Sequence, residues 1–197
     1  MTTLLLLHGW GFDARLWDGV RAALPGVAAV AWDRGYFGAA LTPEVAGPVV
    51  AVGHSLGAML LAACLPADVP LVAINGFDRL AGEGAVPPRV IDRMRARLAQ
   101  APVAVLDEFR LRCGAPAATR LPDTDALADD LDRLATMTVP RDGREVLVLH
   151  GAADPILPPD MRATTFAGAR RETHPDAGHL LPLTHPGWCA EQIAALL

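Results

Sequence analysis

The residues Gly53-His54-Ser55-Leu56-Gly57 combine types and spacing that could do chemistry. They stand between an apolar run, Val49–Val52, and the helical pattern of Ala58–Leu65. A serine in G-x-S-x-G at a strand-to-helix turn projects its hydroxyl from the end of a sheet, and so tight a turn excludes side chains at both glycines. The helix that follows contributes a positive dipole end and free N–H groups. Serine alone is a poor nucleophile at neutral pH. It needs a base to take its proton and a third group to orient that base.

For this kind of turn the chain order is serine, then acid, then histidine. Asp154, in His150-Gly151-Ala152-Ala153-Asp154-Pro155, follows the apolar run Glu145–Leu149. His179, in Asp176-Ala177-Gly178-His179, follows a weaker strand candidate, Arg170–Thr173. Both fall in loops at the carboxyl ends of strands, where α/β folds place their chemistry. Ser55, Asp154 and His179 are therefore the candidate nucleophile, orienting acid and base. His174 and His185 compete for the base, although His185 fits better as part of a helix start. Acyl transfer also needs donors for the developing oxyanion, each worth ~3 kcal/mol. The backbone N–H of Leu56 is one candidate. The other is the N–H of Trp10, in His8-Gly9-Trp10-Gly11 directly after the run Leu4–Leu7.

Positioning these groups requires alternating strands and helices, hence an α/β fold with a largely parallel sheet. Leu4–Leu7, Val27–Trp32, Val49–Val52, Leu71–Ile74, Glu145–Leu149 and Arg170–Thr173 are the expected strands. Ala14–Ala23, Leu56–Leu65, Met161–Ala167 and Pro186–Leu197 are the expected helices, the last capped by Thr184 with Pro186 in its first turn. Residues 78–141 break the alternation with helical periodicity alone: Val90, Met94 and Leu98; Leu106, Phe109 and Cys113; Leu127, Leu131 and Leu134. They read as a helical lid inserted into a core formed by 1–77 and 142–197.

The composition narrows the function class. The chain has 197 residues, 52% hydrophobic, enough for one domain with a genuine core. A net charge of −5 argues against a general nucleic-acid binder. No apolar run approaches the ~20 residues of a membrane span, and Met1-Thr2-Thr3 before four leucines is not a signal peptide. Cys64, Cys113 and Cys189 form neither a disulfide framework nor a zinc pattern. A reduced, cytoplasmic protein is the expectation.

LLLLHGWG, GHSLG, HGAADP and AGHLLPLTHP together resemble the α/β-hydrolase superfamily over nearly the whole chain. The resemblance implies that fold, with about six mostly parallel strands, a helical lid, and no counterpart of two usual N-terminal strands. It implies serine ester hydrolysis without metal or organic cofactor; serine at position 55 sets aside the dehalogenases and epoxide hydrolases, which use aspartate. HGWG followed by Phe12-Asp13-Ala14-Arg15-Leu16-Trp17, with Pro88-Arg89-Val90-Ile91 and Leu106-Asp107-Glu108-Phe109-Arg110-Leu111, is similar to the pimeloyl-[acyl-carrier-protein] methyl ester esterases of biotin synthesis. On that likeness Trp10, Ser55, Leu56, Phe109, Arg110, Leu111, Arg112, Cys113 and His179 contact the substrate. Departures are Asp33-Arg34-Gly35-Tyr36-Phe37-Gly38-Ala39-Ala40, which lacks the family's serine, and a Gly38-to-Val49 interval too short for a crossover helix.

Residues 89–120 carry a local charge of +4 in a chain of −5. Arg89, Arg93 and Arg97 form one helical stripe, with Arg110 and Arg112 further on. Such a patch could steer an acidic acyl carrier protein to the site, or be a solvated helix face. A broad carboxylesterase for small soluble esters and a non-catalytic binding module on the same fold are the alternative functions. Oligomeric state is not legible.

Overall fold

Five short apolar runs and the polar segment Arg170–His174 become the six strands of one all-parallel sheet. The computed structural model describes residues 2–140 and 142–197; Met1, and Arg141 at the expected end of the insertion, lie outside the described residues. The chain runs β1 (Thr3–Leu7), a 3-10 turn (Ala14–Trp17), α1 (Asp18–Ala22), β2 (Ala28–Trp32), β3 (Val49–His54), α2 (Leu56–Cys64) and β4 (Leu71–Ile74). Then come α3 (Pro88–Leu98), α4 (Pro102–Cys113), α5 (Thr124–Thr136), β5 (Val146–Gly151), α6 (Pro159–Thr164), β6 (Arg170–His174), α7 (Leu181–Thr184) and α8 (Pro186–Ala194). Among the described residues no helix is long and apolar enough to cross a membrane.

The strand order is β2-β1-β3-β4-β5-β6. After β1 the chain moves to one edge, then returns to the other side of β1 and proceeds outward. The order reverses between β1 and β3, and a crevice opens at their carboxyl ends at such a switch point. Both faces of the four inner strands are covered, so these strands are apolar on both sides. Leu4, Leu6, Val50, Val52, Val72, Ile74, Leu147 and Leu149 pack with Trp17, Val20, Leu181 and Ile193 on one face. Leu5, Leu7, Ala51, Ala73 and Val148 pack with Met59 and Leu61 of α2 on the other.

The connection from β2 to β3 contains no helix, as its length predicts. Leu41 pairs instead with Asp33 through two backbone bonds of 2.9 Å. Between β4 and β5 the chain leaves and returns side by side: Arg79 bridges Thr138, and the Val139 N–H donates to the Asp78 carbonyl at 2.8 Å. Leu127, Leu131 and Leu134 of α5, and Leu106 and Cys113 of α4, are buried as their spacing predicts.

Four local expectations need correction. Val90 is 43% exposed and Ile91 is buried in its place, with Leu98 buried as expected, because α3 packs that face against α4 and α5. The single helix expected over Ala14–Ala23 is a 3-10 turn, where the Asp13 carboxylate accepts from the Arg15 N–H, followed by α1. The helix expected at Met161–Ala167 starts earlier, at Pro159, and stops at Thr164, before Phe166 in the left-handed region. Thr184 does not cap α8: it ends α7, and its hydroxyl bonds back to the Leu180 carbonyl at 3.0 Å. Pro186 does occupy the first turn of α8.

Candidate active site

The turn between β3 and α2 holds Ser55 in an unusual conformation, φ 53° and ψ −121°. For a non-glycine residue this costs of order 1–3 kcal/mol, retained only where the surroundings enforce it. Here they do. The Ser55 N–H donates to the Ile74 carbonyl of β4 at 3.0 Å. A side chain on Gly57 would collide with the Leu7 carbonyl, and one on Gly53 with the Ala58 backbone. The start of α2 can therefore press directly onto the end of β1. Gly9 is equally close, since a Cβ there would lie 2.9 Å from Ser55 Cβ and 2.8 Å from His54 Nδ1.

Three carboxyl-end loops meet at this turn. His179 Nε2 lies 3.1 Å from Ser55 Oγ, and His179 Nδ1 lies 2.8 Å from Asp154 Oδ2. The His179 and Asp154 side chains are fully buried, and Ser55 is 6% exposed. With Nδ1–H donating to the carboxylate, Nε2 is left to accept from the serine hydroxyl. Asp154 Oδ1 accepts from the N–H groups of Ile156 (2.7 Å) and Leu157 (3.2 Å). Burial pushes the Asp154 pKa upward, but His179, the Ile156 amide and Asn75 outweigh it and hold the carboxyl at about 2. The group is an ionised acceptor across the working pH range. The rival His174 stacks on His185 at 4.1 Å between ring centroids, and on Trp188, within the β6–α8 surface.

The loop after β1 is fixed by residues whose roles were not legible in sequence. His8 is fully buried; its Nε2 accepts from the Arg34 N–H at 3.0 Å, so its Nδ1–H donates to the Gly9 carbonyl at 2.9 Å. The Phe12 N–H donates to the same oxygen at 3.3 Å. In a planar trans peptide the N–H points opposite to the carbonyl. Anchoring the Gly9 oxygen therefore aims the Trp10 N–H the other way. The Trp10 indole N–H donates to the Leu127 carbonyl of α5 at 2.8 Å, so the buried ring serves packing and anchorage together. Leu56, first in α2, has an N–H without an intrahelical acceptor. His54 is buried too, with Nε2 2.8 Å from the His179 carbonyl; burial, then nearby His179, lower its pKa to about 3. Neutral His54 thus ties the strand that leads to Ser55 to the loop of His179.

Helix α4 bridges the loops on either side of the serine. Phe109 packs edge-on against Trp10, centroids 5.0 Å apart, and near Phe12 at 6.4 Å. Arg110 Nη1 donates to the Gly11 carbonyl at 2.8 Å and its guanidinium covers Phe12; Arg112 Nη2 donates to the Pro155 carbonyl at 3.0 Å. Cys113 is buried, with Asp154 among the charges that act on it. Leu111 is 61% exposed: the helix turns it outward while its neighbours face the loops. The arginine stripe is partly consumed as well. Arg97 forms a two-pronged pair with Glu108 at 2.7 Å, whereas Arg89 and Arg93 are exposed without an ion pair among the described residues. No group of three or more His, Cys, Asp or Glu among the described residues could hold a metal ion.

No curated protein sequence matches this chain. Solved structures do match its fold. An esterase from Thermogutta terrifontis, in a malate-bound structure, superposes with a TM-score of 0.75 at 18% identity, over 100% of this chain and 89% of that one. An esterase from Exiguobacterium antarcticum gives 0.78 at 16%, over 100% and 91%. The enol-lactonase of Burkholderia xenovorans LB400 gives 0.78 at 16%, over 98% and 90%. The sequence model of the alpha/beta hydrolase family matches residues 4–192, and the chain belongs to that family.

Proposed function

We propose that the protein is a serine ester hydrolase in which Ser55, His179 and Asp154 act as the catalytic triad. The observation that carries this reading is the continuous hydrogen-bonded chain from Ser55 Oγ through His179 to Asp154, at 3.1 and 2.8 Å. Ser55 attacks the ester carbonyl while His179 Nε2 takes its proton, then gives it to the leaving alcohol. Asp154 fixes the tautomer and stabilises the imidazolium. The N–H groups of Trp10 and Leu56 receive the oxyanion, and water, activated by the same histidine, releases the acid. Solved neighbours described as esterases and a lactonase agree with this class of reaction. A non-catalytic binder would have no use for the fully connected triad.

For the substrate, the reading is the methyl ester of a pimeloyl chain on acyl carrier protein, supported by HGWG and the resemblance of the insertion. Residues 78–141 act as the lid. Trp10, Phe12, Phe109 and Cys113 supply an apolar wall for an acyl chain, and α4 must shift to admit it, since Ser55 and His179 are covered. Specific observations favour the second reading, a carboxylesterase for small soluble esters: Arg97 is neutralised by Glu108, and Arg110 and Arg112 are spent on backbone carbonyls. The purified enzyme, offered carrier-bound methyl pimeloyl ester and free short-chain methyl esters side by side, decides between them. Much higher kcat/KM for the carrier-bound ester supports the first, and parity supports the second. Hydrolysis of neither rejects both.

A further inference from the structure

Asn75 follows β4 directly and is fully buried, with its backbone in the left-handed region at φ 45° and its N–H donating to the Leu149 carbonyl at 2.7 Å. Asparagine tolerates that conformation better than most residues. Its side-chain Nδ2 lies 2.8 Å from Asp154 Oδ2 and 3.3 Å from the Gly178 carbonyl. Both partners can only accept, so the amide must present its NH2 to them. Its Oδ1 is then turned away, buried without a hydrogen-bond partner among the described residues. A buried polar atom left unsatisfied calls for an explanation. Here the amide gives both hydrogens to the loops of the acid and the base and leaves its own oxygen unpaired. With Asn75 in place, each oxygen of Asp154 accepts two hydrogen bonds: Oδ2 from His179 and Asn75, Oδ1 from Ile156 and Leu157.

We propose that Asn75 is a positioning residue of the triad, spanning Asp154 Oδ2 and the Gly178 carbonyl so that acid and base are held in register. This rests on the reading of Ser55, His179 and Asp154 as catalytic. The amide keeps the carboxylate in the rotamer that turns Oδ2 to His179 Nδ1. It also lowers the basicity of that oxygen. When the proton of Ser55 moves to His179 Nε2, the imidazolium keeps its Nδ1 proton because a carboxylate with every acceptor filled competes weakly for it. Removing the amide makes Oδ2 a stronger partner for the imidazolium. The Asp154–His179 hydrogen bond then changes in strength and geometry, and turnover falls because acid and base are no longer held in register.

Asn75→Gly accepts the left-handed backbone freely and removes the whole side chain. Asn75→Leu keeps the branched shape, in a larger side chain, and removes the donors. Both are assayed against wild type and Ser55→Ala for kcat and KM across pH on a chromogenic short-chain ester, with thermal unfolding and the downfield proton resonance of His179 Nδ1–H recorded in parallel. Positioning predicts a kcat lower by about 10- to 100-fold with KM little changed. It predicts a displaced Nδ1–H resonance in folded protein. A merely structural role would lower the melting temperature and leave kcat and the resonance in place, which overturns the proposal. Unchanged kcat and resonance in Asn75→Gly, with Ser55→Ala inactive, overturns it while sparing the triad. Full turnover by Ser55→Ala removes the triad reading, and the proposal falls with it.

Discussion

Helices α5 and α4 both belong to the stretch between β4 and β5, and both touch the Trp10 loop, but by different means. Helix α5 is joined through buried groups. Asp130 is fully buried and receives both prongs of the Arg34 guanidinium at 2.8 Å, the Tyr36 hydroxyl at 2.6 Å and Arg133 at 3.1 Å. The Trp10 indole bonds to the Leu127 carbonyl of the same helix, and the Asp123 N–H before it donates to the Tyr36 carbonyl at 2.7 Å. Helix α4 also buries Val105, Leu106 and Cys113, but its polar ties to the site loops are Arg110 and Arg112 on backbone carbonyls, beside aromatic edges. Buried, fully satisfied networks fix one geometry, while arginine-to-carbonyl bonds reaching solvent are exchanged readily for water. On this comparison α5 fits the fixed wall of the proposed site, and α4 the part that we propose opens.

The largest effect is expected at the centre both helices surround. Ser55→Ala should lower ester turnover by at least ~10⁴-fold with little change in melting temperature, as steady-state assays and calorimetry would record. Retained turnover would put the chemistry elsewhere. The fixed wall comes next. Asp130→Ala leaves Arg34 and the buried Tyr36 hydroxyl without their partner and should cost about 2–4 kcal/mol of stability by urea titration. A loss below ~1 kcal/mol would mean that α5 is no more firmly attached than α4.

Acid should act on the core of the site in the same sense. The folded protein resists protonating His54 and His150, whose pKa values burial lowers to about 3 and about 4, while the unfolded chain protonates both near pH 6.5. Their cost to folding is absent above that pH and grows as pH falls toward 3, so melting temperature should drop between pH 6.5 and 4. Asp154 adds a further loss below about pH 4, ending near its folded value of about 2. A melting temperature flat from pH 7 to 4 would contradict this.

Loosening the movable part should do less. Arg110→Met removes the donor to the Gly11 carbonyl and should cost about 1 kcal/mol while changing kcat and KM together, since it affects both opening and the Trp10 loop. Smallest of all, replacing Arg89, Arg93 and Arg97 together should leave the melting temperature almost unchanged, because these are exposed charges. If the carrier-bound reading holds, the same triple variant should lose kcat/KM for carrier-bound ester alone, and salt should shrink the difference.

What could be read from sequence follows what is local. The first five strands were legible as apolar runs bounded by turn residues, the polar edge strand β6 only weakly, and the G-x-S-x-G turn and two later loops after strands marked Ser55, Asp154 and His179 as candidates. The contacts of Asn75, His8 and Asp130 depend on partners far along the chain: Asn75 on Asp154, His8 on Arg34, Asp130 on Arg34 and Tyr36. No periodicity encodes such pairings. For Asn75 a signal was present all the same, since a polar residue ending the apolar run Leu71–Ile74 occupies the same carboxyl-end position as the other loop residues. The phase of α3 was misread because Val90 and Ile91 are adjacent and equally apolar, and only the packed partner helices select Ile91.

The most direct test of the central claim is covalent labelling by a fluorophosphonate ester, with the modified peptide located by mass spectrometry. The account predicts a single adduct on Ser55, no labelling in Ser55→Ala, and labelling slowed by several orders of magnitude in His179→Ala but not in His185→Ala. An adduct on another residue, or equal rates in wild type and His179→Ala, would contradict it.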